Sequence, residues 1–260
     1  MTRSDPVPPP PPGPAPRQVQ LFATCLAESF YPDVLRDTVA VLEHLGVTVG
    51  FPGGQTCCGQ PLFNSGVHRD ARAVARGVLA AFRDHQGDIV SPSGSCVDMV
   101  RHHFADLFPE GDPDHALARK TAGRTYELTE YLVRVLGVTD VGARFPHRVT
   151  YHASCHQLRG LGLREEAKQL LGAVRDIELV PLEEEETCCG FGGAFSVIYP
   201  EVSRAMMDAK VRAVVASGAE AVVACDAGCL MNIAGGLRKA GAATRPMHLV
   251  EVLASGRGGR

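Results

Sequence analysis

The sequence contains no run of about 18 uninterrupted apolar residues, so no membrane-spanning helix is expected. It carries no excess of basic residues either. Its 26 Lys and Arg face 29 Asp and Glu, and a net charge of −3 argues against a dedicated nucleic-acid binder. The basic, apolar and small-residue regions of a secretory signal are missing from the N-terminus, which leads to the expectation of a cytoplasmic chain. No dinucleotide fingerprint follows the first expected strand, there is no P-loop, and no Ser–His–Asp arrangement can be defended from spacing. Tryptophan is absent too, which excludes nothing.

Cysteine, by contrast, is plentiful. Nine cysteines without a secretory signal point to metal or redox chemistry more readily than to a disulfide frame, and an odd number cannot pair completely. The remaining composition, 45% hydrophobic and 21% charged over 260 residues, is that of a globular protein of one large or two smaller domains. Residues 1–17 stand apart: Pro6, Pro8 to Pro12, Pro14 and Pro16 crowd a segment with almost no apolar side chains, read as a disordered, solvated tail.

Beyond the tail, strand and helix patterns alternate. Strands are expected at Val19–Phe22, Val47–Val49 and Ile89–Val90, with helices over Val34–Leu45, Val67–Phe82, Val97–Phe108 and Tyr126–Leu136. The second half repeats this order. Strands are expected at Arg148–Tyr151, Ile177–Val180 and Ala221–Ala224, and helices at Arg164–Leu171, Val202–Val215 and Met231–Lys239. The expected fold class is α/β: two pseudo-symmetric Rossmann-like halves, each a mainly parallel sheet flanked by helices.

Arithmetic on the cysteines supports the duplication. Cys25 to Cys155 is 130 positions, Cys57 to Cys188 and Cys58 to Cys189 are each 131, and Cys96 to Cys229 is 133. Thr56-Cys57-Cys58-Gly59 matches Thr187-Cys188-Cys189-Gly190, and the segment from Glu127 to Leu132 echoes that from His248 to Leu253. Two domains are therefore expected, 18–140 and 148–255, meeting between Gly137 and His147.

In each half all three cysteine elements fall at the C-terminal ends of expected strands, where open parallel α/β sheets bind ligands. Adjacent cysteines in a straight strand point to opposite faces, so both can serve one ligand only if the backbone turns, as Gly59 and Gly190 permit. A helix start after the turn would favour an anionic thiolate centre. Four thiolates suit a structural zinc or an iron–sulfur cluster. Zinc sites draw ligands in short pairs, and the nearest approach is Cys225-x3-Cys229 in the second half alone, so the doublets favour the cluster. A thiol redox sensor, or a zinc-stabilised interaction module, remains the alternative of another class.

The pattern Cys25…Cys57-Cys58-Gly59…Cys96 followed by Cys155…Cys188-Cys189-Gly190…Cys229 resembles the tandem cysteine-rich CCG domains. These are found in the cysteine-rich component of heterodisulfide reductase and in the iron–sulfur subunits of glycolate oxidase and anaerobic glycerol-3-phosphate dehydrogenase. The resemblance is strongest to the lactate-utilisation protein A family and covers about residues 18 to 255. It implies an iron–sulfur electron-transfer subunit, with one or two [4Fe–4S] clusters, of a complex oxidising L-lactate to pyruvate. It further implies as partners a ferredoxin-like iron–sulfur protein and a third subunit. A heterodisulfide-reductase-like or glycolate-oxidase-type redox subunit is the alternative of the same class. By this resemblance Cys25, Cys57, Cys58 and Cys96 form one site and Cys155, Cys188, Cys189 and Cys229 the other.

The chain departs from the fuller motif in two respects. The final C-x2-C is missing: Met99 and Asn232 stand at the forward fifth-ligand positions, Ser93 and Asp226 at the backward ones. The ferredoxin run C-x2-C-x2-C-x3-C-P is missing too, so the electron partner would lie on another chain. Of the remaining candidates, Cys225 reads as a core residue extending a buried strand. His152 and His156 flank Cys155 and could ligate metal, although the pattern favours partly exposed loop residues. His68, His102 and His103 read as surface, and Glu183 to Glu186 as a solvated acidic loop.

Overall fold

The computed structural model describes residues 17–256; the proline-rich tail reading concerns residues outside that range, apart from Arg17. Two four-stranded sheets make the frame. The first contains β1 (Gln18–Leu21), β2 (Thr48–Gly50), β3 (Asp88–Ser91) and β4 (Thr125–Glu127), ordered β2-β1-β3-β4. The second contains β5 (Arg148–Tyr151), β6 (Glu178–Leu179), β7 (Ala221–Ala224) and β8 (Arg245–His248), ordered β6-β5-β7-β8. Every pairing is parallel. The identical order in each half is the α/β duplication expected from the cysteine spacing.

Helices cover the sheets. In the first half they are α1 (Cys25–Phe30), α2 (Pro32–His44), α3 (Gln60–Asn64), α4 (His68–Phe82), α5 (Gly94–Asp98), α6 (Phe104–Leu107), α7 (His115–Ala122) and α8 (Leu128–Glu130). In the second they are α9 (Glu166–Gly172), α10 (Phe195–Ile198), α11 (Pro200–Ala216), α12 (Ala227–Ala240) and α13 (Leu249–Ala254). Three π-helical turns, Met99–His103, Tyr131–Val135 and His156–Gly160, interrupt this regular pattern. In α4 the buried residues Ala71, Ala75, Val78, Leu79 and Phe82 form one stripe, the periodic pattern that marks an amphipathic helix.

Local pattern misses two strands. Periodicity places Tyr126 at the start of a helix, but Thr125–Glu127 pairs with β3, Ile89 opposite Thr125, and helix begins only at Leu128. Arg245–His248 carries no strand signal of its own. It is an edge strand that accommodates Pro246, as edges do because one side needs no ladder donors. Both short strands gain their regular structure from the neighbouring β3 and β7, a long-range effect absent from local periodicity.

The halves share a core. One apolar cluster runs from Val19, Leu42 and Val90 through Tyr131 to Val149, Leu170, Val223 and Leu253, while smaller clusters around Phe82 and around Val214 serve one half each. Buried polar contacts cross the same seam. Gln157 Nε2 donates to Thr129 Oγ1 across it at 3.1 Å, and within the second half Tyr151 OH supports that amide by donating to Gln157 Oε1 at 2.9 Å.

The echoing segments prove to be matched helix caps. The Glu127 carboxyl accepts from the Thr129 and Glu130 amides; His248 Nδ1 accepts from the Val250 amide at 3.2 Å. His248 Nε2 lies 3.0 Å from the Pro92 carbonyl across the seam, so the neutral Nε2–H tautomer satisfies both ring nitrogens. Burial pushes the imidazole down to about 4, whereas burial pushes the Glu127 carboxyl up to about 7. The depressed histidine contributes stability that is present above pH 6.5 and is lost as pH falls towards 4, about 3 kcal/mol in all. His248→Asn retains a capping oxygen but does not titrate in this range. Its thermal unfolding is expected to lose less stability than the wild type between pH 7 and pH 4.5. Equal losses in the two proteins would refute the assignment.

Candidate metal centre

All eight cysteines of the two quartets line one cleft at the C-terminal ends of the strands, a cavity of about 150 Å³ between the halves. Cys25 opens α1 just after β1, Cys96 lies in α5 after β3, and Cys57 and Cys58 sit on the loop from β2 to α3. Cys155, Cys229 and the pair Cys188 and Cys189 take the matching places after β5, β7 and β6. Depth is matched as well. Cys25, Cys57, Cys155 and Cys188 are half-buried, while Cys58, Cys96, Cys189 and Cys229 are buried, and all are free thiols.

The doublets turn as their glycines allow. Gly59 and Gly190 both adopt φ of +86°, a left-handed conformation natural to glycine, and each amide lies 3.4 Å from the sulfur two residues before it, Cys57 or Cys188. Side-chain amides brace the first loop. Gln55 accepts from the Ala23 amide and donates to the Leu21 and Pro52 carbonyls, tying the Cys57 loop to the end of β1. Thr24, just before Cys25, holds φ 65° and ψ 145°, a conformation rarely adopted by residues with a side chain.

Within each quartet the thiols are close enough to perturb one another. Cys58 Sγ lies 3.5 Å from Cys96 Sγ. Thiol hydrogen bonds from Cys25 and Cys58, reinforced by the Gly59 amide, pull Cys57 down to about 3; the same arrangement pulls Cys188 well below the usual thiol range. The donating neighbours Cys25, Cys58, Cys155 and Cys189 are pushed up, chiefly by giving those hydrogen bonds and by burial. The Cys189 thiol draws Cys229 down to about 6. The first quartet is thus set to hold one thiolate unaided and the second two, and ionising all four thiols of either requires a cation to offset the crowded negative charge.

Polar groups at the seam line the same cleft. Asp226 caps α12 by accepting from the Gly228 amide at 3.0 Å, and its other oxygen accepts from the Ser95 amide at 3.0 Å and the Ser93 hydroxyl at 3.3 Å. Ser93 is the matching cap of α5. The backward fifth-ligand positions therefore hold one another across the cleft. The forward positions offer no donor to it: Met99 is buried in the apolar cluster around Phe82, and Asn232 Nδ2 donates to the Cys189 carbonyl at 2.8 Å.

The other candidates fall into place. Cys225 is fully buried in the shared core, with the Tyr151 hydroxyl 3.9 Å from its sulfur, as the strand pattern suggests. His156 borders the cleft, its Nδ1 3.6 Å from Cys155 Sγ. His152 departs from the expectation of a partly exposed loop residue: it is fully buried, because the chain at the end of β5 still packs against β7. The acidic loop is largely solvated, yet it is pinned from beneath by buried Lys210, whose Nζ donates to the Glu184 carbonyl at 2.5 Å. Spacing carries no signal for Gln55, Thr24 or Lys210, since none belongs to the repeated motif.

The donor chemistry suits a thiolate-bound metal or cluster: eight unpaired thiols face one cleft, oriented amides stand behind both doublets, and buried imidazole lies alongside. Among the described residues no helix is long and apolar enough to cross a membrane.

Known proteins share this design. The cysteine-rich domain family CCG matches twice, at residues 19–101 and 149–234. A solved hypothetical protein from Helicobacter pylori superposes over 95% of this chain with a TM-score of 0.64 at 13% identity, the match spanning 50% of that longer protein, and so shares the fold. Lactate utilization protein A from Halalkalibacterium halodurans is 46% identical over 236 residues, 91% of this chain and 96% of that protein. Its namesake from an Exiguobacterium species is 48% identical over 239 residues, 92% of this chain and 97% of the other. Likeness on that scale, together with the doubled cysteine-rich domain, makes this chain a member of the lactate utilization protein A family.

Proposed function

We propose that this chain is the iron–sulfur electron-transfer subunit of a system that oxidises L-lactate to pyruvate. The convergence of both thiol quartets on one cleft carries the proposal. Cys25, Cys57, Cys58 and Cys96 would hold one cluster and Cys155, Cys188, Cys189 and Cys229 the other, with residues 18–140 and 148–255 as the duplicated units. The names of its relatives support lactate utilisation as the setting.

Oxidising lactate to pyruvate releases two electrons and two protons, and thiolate-bound iron–sulfur clusters supply one-electron acceptors suited to relaying them. The protein's own part is to bind and tune. The Gly59 and Gly190 amides donate towards the Cys57 and Cys188 sulfurs, and hydrogen bonds of that kind raise a cluster's potential by stabilising its reduced, more negative form. The Asp226 carboxylate acts oppositely: its charge opposes ionisation of nearby Cys155, already raised by Cys188 and burial, and of Cys229, which its neighbour Cys189 nonetheless keeps lowered. Since no ferredoxin run occurs in the sequence, a ferredoxin-like protein and a third subunit are proposed as the electron partners, in the cytoplasm.

Anaerobic purification provides the test. The protein should be brown, absorb broadly near about 400 nm as thiolate-bound clusters do, and contain iron and acid-labile sulfide in equal amounts. A colourless protein containing stoichiometric zinc and no sulfide would reject the proposal in favour of the zinc-stabilised module.

A further inference from the structure

The two quartets are alike in their thiols but differ in what stands behind them. His152 is fully buried, and neither ring nitrogen has an oxygen or nitrogen partner; the polar group it interacts with is the Cys229 thiol. A ligating nitrogen of its ring and the sulfurs of Cys189 and Cys229 all lie within 4.8 Å of one another. Imidazole is strongly polar, and a buried ring whose nitrogens have no oxygen or nitrogen partner is a costly choice for a core position that an apolar side chain could fill.

The first half makes that apolar choice. The His152 amide donates to the Val223 carbonyl at 2.8 Å, and the Phe22 amide donates to the Val90 carbonyl at 2.9 Å. The same backbone bond at the same place in each repeat makes His152 and Phe22 equivalent. Phe22 is packed edge-on against Phe82, 5.8 Å between ring centroids, inside an apolar cluster. Where one half has a phenyl ring that can bind nothing, the other has an imidazole beside two thiols.

We propose that His152 is a nitrogen ligand of the second centre, giving that centre a fifth donor which the first lacks. The inference deepens the iron–sulfur reading and rests on it. Neutral imidazole binds iron and zinc readily, and as a donor added to four thiolates it leaves the charge of the centre unchanged while altering the electron density at the iron it binds. The two centres would then differ in ligand set and potential despite their common origin. The side chain approaches from the protein interior, because His152 does not border the cleft while Cys189 and Cys229 do.

The test uses the full chain purified anaerobically and partly reduced with dithionite. With natural-abundance histidine, pulsed electron paramagnetic resonance should show nitrogen coupling of the strength of directly bound imidazole on one of two cluster signals. Labelling the histidines with nitrogen-15 should shift it, a measurement that needs no variant. In His152→Phe, which copies the first half, that coupling should vanish entirely and only one of two midpoint potentials should move. A cluster signal with no strong nitrogen coupling, or coupling that persists in His152→Phe, overturns the ligand assignment alone. Absence of iron and sulfide from the wild type overturns the iron–sulfur reading itself and the ligand assignment with it.

Discussion

Replacing Cys188 by serine is expected to leave the protein with about half of its iron and sulfide, and Cys57→Ser to remove the other half. Each of these thiols is the hub of its quartet: Cys188 accepts hydrogen bonds from Cys155, Cys189 and the Gly190 amide, and Cys57 from Cys25, Cys58 and the Gly59 amide. Serine preserves shape, but its hydroxyl is a hard donor that ionises far less readily than a thiol already lowered by its neighbours. The double variant should be colourless. Iron and sulfide assays after anaerobic purification read the result, with Cys225→Ala as a control that keeps its full complement because that thiol belongs to the shared core. Complete loss of iron from either single variant would instead mean that the common cleft holds one joint centre.

Gly190→Ala is the second large effect. A Cβ at that position would lie 2.5 Å from the Ser203 carbonyl oxygen and 3.0 Å from Met206 Cβ, and the residue sits at φ +86°. Alanine must pay for the left-handed conformation, roughly 1–2 kcal/mol, and for displacing backbone of a 17-residue helix, on the order of a further 1–3 kcal/mol. We expect Tm to fall by about 10 °C, and the second centre to be lost because the turn that aims Cys188 and Cys189 opens. Gly59→Ala should behave similarly but more mildly, its Cβ lying 2.9 Å from the Ala71 carbonyl. Gly53, with no heavy atom within 4 Å of a Cβ, is the control; its alanine variant should stay within about 0.5 kcal/mol of the wild type. Unchanged melting and metal content in Gly190→Ala would refute the role given to the turn.

The two glycines show how far reading residues in order can go. A Cys-Cys-Gly triplet after a strand implies a sharp bend, because both sulfurs cannot otherwise reach one side of the chain, and the structure bends there at both copies. Long helices such as α4 and α11 are legible because their apolar residues recur at helical spacing over several turns. The weaker elements are not. β4 and β8 are three and four residues long, and such segments become strands only when a neighbour supplies the ladder. His152 escapes local reading for the same kind of reason: three residues before a cysteine at a loop mouth, nothing nearby in the chain announces that β7 closes over it.

The amino-acid order alone determined the duplication, since four cysteines holding nearly one offset need no coordinates to be noticed, and it determined the parallel α/β class through alternating periodicities. The tertiary structure decided that the two quartets face one cleft instead of two pockets. That outcome depends on a shared apolar core and on caps that bond across the seam, Asp226 to Ser93 and His248 to Pro92. Contacts between residues more than a hundred positions apart leave no trace in local pattern, and only packing brings them together.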